Sequence, residues 1–103
     1  MKKDNVIKVI RIKVGADPVE VLVENELSAL QALVGGNIEV VTPCAYFAIV
    51  CNEDGRLFEL PHNCRIMGTD YVGDIFLCGI DDGELTDVPP SLELVMALGV
   101  IRR

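Results

Sequence analysis

The string Leu60-Pro61-His62-Asn63-Cys64-Arg65 holds the only histidine of the chain and one of its four cysteines. Nucleophilic catalysis needs a nucleophile, a base and a group that orients the base. Residues two apart on a strand face the same side, so His62 and Cys64 could meet there, with Cys51 a second candidate thiol. The same spacing arises often by chance, and this histidine has many other neighbours to bond with. A cysteine–histidine enzyme is therefore the last of three readings, and no catalytic residue is assigned.

The other reactive types point to structure more than to chemistry. Cys44, Cys51, Cys64 and Cys78 are irregularly spaced and form no CxxC pair, whereas zinc sites and redox centres usually present close pairs. No metal and no cofactor are expected, and the cysteines are read as free, mostly buried thiols of a reducing compartment. Glu53, Asp54, Asp70, Asp74, Asp81, Asp82 and Glu84 would have to converge to do acid–base work or hold Mg²⁺. Nearly all fall in expected turns, where Asp bonds its own backbone. Gly35-Gly36 lacks the Lys-Ser/Thr of a phosphate loop and follows a helix instead of preceding one.

Charge narrows the partners. Sixteen acidic residues stand against nine basic ones, a net charge of −7 in 103 residues. Phosphate backbones are bound through Lys and Arg, so no nucleic-acid partner is expected, and Lys2, Lys3, Lys8, Arg11 and Lys13 are read as solvated charges. The apolar run after the N-terminus is broken by Lys8, Arg11 and Lys13. It offers neither the unbroken stretch of about 7–15 residues of a signal peptide nor the roughly 20 of a membrane span. A cytoplasmic protein with no membrane partner is the expectation.

The elements that must position these residues follow from periodicity. One domain, 1–103, is expected from length, with a core of Val, Ile and Leu because aromatics are few. Residues 6–14 alternate as a half-buried strand, Gly15-Ala16-Asp17-Pro18 turns, and Val19 to Glu24 alternates as a second strand. Asn25 is expected to cap a helix carrying Leu27, Leu30, Leu33 and Val34 on one face, with Gly35-Gly36 ending it. Strands are expected over 38–42 and 46–51, the latter buried on both faces. Asn52-Glu53-Asp54-Gly55 is expected to make a tight hairpin turn, with Arg56 to Leu60 as the return strand. Residues 61–72 are expected to be loop, 74–80 a last strand closed by Asp81-Asp82-Gly83, and Ser91 to Leu98 a short helix. The sum is an α+β fold, order ββαββββα: a mainly antiparallel sheet of about five to six strands with two short helices.

Three strings together resemble an uncharacterised family of small proteins, domain of unknown function 3846. They are Leu30-Gln31-Ala32-Leu33-Val34-Gly35-Gly36-Asn37-Ile38-Glu39-Val40-Val41; Val50-Cys51-Asn52-Glu53-Asp54-Gly55-Arg56-Leu57 with Leu60-Pro61-His62-Asn63; and Asp70-Tyr71-Val72-Gly73-Asp74-Ile75-Phe76-Leu77-Cys78-Gly79. The resemblance covers roughly residues 7–80. Cys64 separates Asn63 from Arg65 where the family tends to have Asn-Arg, and the C-terminal Pro-Pro-Ser-Leu segment is not expected of it. The resemblance implies an accessory product of a phage, prophage or mobile element and brings no reaction or ligand.

Three readings of function follow. The first is a non-enzymatic accessory protein that binds a host or element protein through a polar surface shared by Asn52, Glu53, Asp54, Asn63, Arg65 and Asp70. Homodimerisation through the apolar C-terminal helix accompanies it. The second is a binder of a nucleotide signal, with Arg65 on a phosphate. The third is the cysteine–histidine enzyme.

Overall fold

The computed structural model describes residues 5–91 and the backbone of 101–102. Strands β1 (Val6–Ile12) and β2 (Val19–Glu24) form the expected hairpin, and helix α1 (Leu27–Val34) follows. After it come β3 (Ile38–Val41), β4 (Ala48–Asn52), β5 (His62–Ile66), β6 (Thr69–Val72), β7 (Ile75–Asp81), β8 (Glu84–Thr86) and β9 (Ile101–Arg102). Among the described residues all pairings are antiparallel. The larger sheet runs β2-β1-β7-β4-β3 with β8 also on β7, and a second sheet runs β6-β5-β9.

Alternation sorts the core into two layers. On one face of the larger sheet Ile7, Val9, Ala48, Val50, Phe76 and Cys78 pack with Leu30 and Val34 of α1. On the other, Ile10, Ile12, Ile49, Cys51, Ile75 and Leu77 pack with Cys64, Ile66 and Tyr71 of the small sheet. Successive strand residues thus serve opposite layers, which is why β4 and β7 are apolar at nearly every position. β1 is also covered on both faces along part of its length, which the half-buried reading of 6–14 did not include.

Several expectations are corrected. Arg56 to Leu60 is not a strand: the amides of Phe58, Glu59 and Leu60 bond to the carbonyls of Asp54, Arg56 and Gly55, coiling the segment into consecutive turns. Nor is Asn52-Glu53-Asp54-Gly55 a tight hairpin turn, since neither Asp54 nor Gly55 has a positive φ. The Asn52 side chain instead accepts the Asp54 amide at 2.8 Å, and Gly55 lets the chain pass Val72, whose Cγ2 would lie 3.0 Å from any Cβ there. Residues 61–72 are not loop but the hairpin β5–β6. Its two-residue connection, Met67-Gly68, has φ of 50° and 85°, the signs of a type I′ turn. Asp82-Gly83 turns the same way into β8, which the sequence reading did not contain. Asn25 does not cap α1. Glu26 occupies that position without a side-chain cap bond, and Asn25 Nδ2 donates to the Leu85 carbonyl at 3.1 Å. Gly35 ends the helix as expected, at φ 77°. Among the described residues the chain order is ββα followed by seven strands, set in a six-stranded and a three-stranded sheet, and it replaces ββαββββα. The helix expected over Ser91–Leu98 lies, beyond Ser91, outside the described residues, and with it the dimer contact assigned to it.

Candidate functional site

Where the two sheets meet on the β3 and β6 side, their edges diverge and leave an open groove of about 370 Å³. Glu39 and Val41 face it from β3, and Thr69, Asp70, Tyr71 and Val72 border it from β6. Pro43 stands at one end; Asn52, Glu53 and Arg56 stand at the other, with Cys51 at its base. The volume is near the lower end for ligand sites, so the groove fits a few residues or a small group. Three of its residues are carboxylates and one is a cation, and that cation is engaged: Arg56 Nη2 donates to the Asp70 carbonyl at 2.7 Å.

Asp70 joins the groove to the outer face of the hairpin. It lies opposite Arg65 in the β5–β6 register. Its Oδ1 is 3.5 Å from Arg65 Nε and 3.5 Å from His62 Nε2. All three side chains are about half exposed, so each pair contributes only about 0–1 kcal/mol to stability. Their grouping depends on a register shift between His62 and Cys64. The extra residue turns Asn63 inward and returns Arg65 to the face of His62, three positions away instead of two.

That bulge overturns the pairing of His62 with Cys64. His62 is exposed, whereas Cys64 is 0% exposed and packs between the sheets. Cys51 borders the groove, but burial pushes its thiol up to about 11, Glu39 adding to the shift and Arg56 opposing it. Its Sγ donates to the Glu39 carbonyl at 3.8 Å. Burial, and then the nearby thiols and Glu39, also push the Tyr71 phenol up from its ordinary value. At neutral pH Cys51 and Tyr71 are held protonated. Among the described residues no group of His, Cys, Asp and Glu could hold a metal ion, and no helix is long and apolar enough to cross a membrane.

Of the six residues expected to share a surface, Asn52, Glu53 and Asp70 line the groove and Arg65 flanks it through Asp70. Asp54 sits beside them in the turn. Asn63 does not belong: it is 3% exposed, and its Nδ2 donates to the carbonyls of Ile12 and Gly73 at 2.8 and 2.7 Å. Asn52 is also buried, with Nδ2 on the Val34 carbonyl at 3.2 Å, so it ties α1 to the end of β4 more than it offers a contact. Sequence reasoning missed Glu39, Arg56 and Tyr71. Glu39 was visible as the one charge within the apolar strand 38–41; Arg56 was hidden by the mistaken strand.

The molecule is thus an α+β domain of three layers, helix, larger sheet and smaller sheet, with an acidic groove along the seam of the two sheets. It belongs to the family described as Domain of unknown function (DUF3846), whose model matches residues 7–98. The match extends past the residues 7–80 over which the resemblance was expected. Neither a curated protein nor a solved structure matches the chain.

Proposed function

We propose that this protein is a non-enzymatic accessory protein of a phage or mobile element. It acts by binding a host or element protein through the face that carries Asp70 and the groove beside it. The observation that carries the reading is the groove itself, a concave seam whose charged side chains are accessible while the thiol at its base is held protonated. Exposed Tyr46 and Met67 add apolar surface to the loops that follow β3 and β5, the kind of residue that anchors protein contacts. The nucleotide reading has less support: Arg65, which it sets on a phosphate, stands 3.5 Å from the Asp70 carboxylate, and the groove beside it carries three carboxylates and one arginine already bonded to the Asp70 carbonyl. Homodimerisation remains part of the proposal, and the mass of the full chain by light scattering tests it: twice the chain mass is expected, and a monomer at all concentrations removes it. The binding face is tested by affinity capture from host lysate with wild-type bait and with an Asp70→Arg, Glu53→Lys bait of equal thermal stability. A protein retained by the first and lost from the second is expected. One retained equally by both, or by neither, counts against the reading.

A further inference from the structure

Two strand edges border the groove, and among the described residues neither has a second partner strand: β3 pairs with β4 alone, and β6 with β5 alone. Asp70 fixes which backbone groups of β6 face outward. Its carbonyl is taken by the Arg56 guanidinium instead of by β5, and in a strand the N–H and C=O of one residue point to the same side. Asp70 and, two residues on, Val72 therefore present their backbone groups along the groove, while the intervening Tyr71 turns its own toward β5. Such an edge is a template for another strand, and proteins blunt these edges with charged side chains. Arg56 does so here through its guanidinium, which stands where the N–H of an added strand would donate.

From this we infer that the groove takes an extended segment of the partner, added as a strand to the open edge of β6, and that the segment is basic. Arg56 is the gate, leaving the Asp70 carbonyl as the incoming N–H replaces it. Its departure removes the one cation that lines the groove with Glu39, Glu53 and Asp70, Arg65 reaching Asp70 from the outer face of the hairpin, and a Lys or Arg of the segment takes its place. The ladder supplies affinity without regard to sequence; the carboxylates supply selection by charge. The inference rests on the protein-binding reading above and specifies the occupant of the same site.

Selection of a displayed library of random heptapeptides on the full chain tests it, with counter-selection on a Glu39→Lys, Glu53→Lys variant that melts with wild type. The expected survivors carry Lys or Arg at alternating positions. The tightest of them, as a free peptide, is expected to slow amide exchange at Asp70 and Val72 and to lose about tenfold or more in affinity when the carboxylates are reversed. Methylation of its alternate backbone nitrogens is expected to abolish binding, and Arg56→Ala to tighten it. A selection that returns no groove-dependent peptide overturns the inference. So does a peptide that binds equally well when methylated, or that leaves both amides unprotected. If lysate capture yields a partner dependent on Asp70 and Glu53 while these amides stay unprotected in its presence, the strand-addition inference fails and the binding reading stands. If no partner depends on that face, both fall.

Discussion

At the scale of single residues, burial divides the reactive groups from the accessible ones. Cys51, Cys64 and Cys78 are buried, Cys44 is half-buried, and none is in a disulfide. A thiol probe at pH 8 is therefore expected to label Cys44 first and the other three only as the chain unfolds, measured by mass spectrometry against time; rapid labelling of Cys51 would revive the nucleophile reading. The raised thiols also set an alkaline limit. Burial moves Cys51 and Cys78 from an ordinary value of 9.0 to about 11 and about 12. The unfolded thiol loses its proton near 9 while the folded one keeps it, so the unfolded state binds fewer protons in between. Their contribution is complete below pH 9 and declines as pH rises through 11 to 12. The melting temperature is expected to drop across that window, less steeply in Cys51→Ser. Asn63 shows what residue types alone conceal. As one of six polar residues expected to share a surface it was placed outside, yet its side-chain amide satisfies two buried carbonyls. Asn63→Ala is expected to cost about 2–4 kcal/mol in urea unfolding, two lost bonds and two orphaned acceptors.

At the scale of elements, periodicity made some strands legible and turn chemistry hid others. β1, β2, α1, β3, β4 and β7 were visible because their apolar spacing is regular and Gly or Asp marks their ends. The hairpin β5–β6 was not. Its turn is Met67-Gly68, and methionine is a poor indicator of a positive φ that Asn, Asp or Gly normally signals. The bulge at Asn63 further breaks the period of two, so the strand scans as loop. The same chemistry yields a prediction. Met67 is exposed and packs little, so Met67→Asn is expected to stabilise the chain by about 0.5–1 kcal/mol, read as a higher urea midpoint with unchanged slope. In the shared strands the effect is opposite. Phe76 is fully buried beneath α1, and Phe76→Ala is expected to cost about 3–5 kcal/mol.

At the scale of the whole molecule, the groove exists because a second sheet covers the larger one and the two edges part on one side. No linear motif encodes it. Glu39, Arg56 and Asp70 come from three separate segments, and only their meeting at the seam makes a site. What the sequence did carry was the list of polar residues around 52–54 and 63–70, which the fold divides into groove, rim and core. Net charge acts at this scale too. With −7 on the chain and carboxylates along the groove, association with a basic segment is expected to weaken as salt rises. The measurement that bears most directly on the account is site-specific photo-crosslinking in host cells, with a photoreactive residue in place of Thr69 at the groove and, separately, of Asp17 in the distant β1–β2 turn. A crosslinked protein from position 69 and none from position 17 is the result this account predicts. No crosslink from 69, or the same products from both positions, would contradict it.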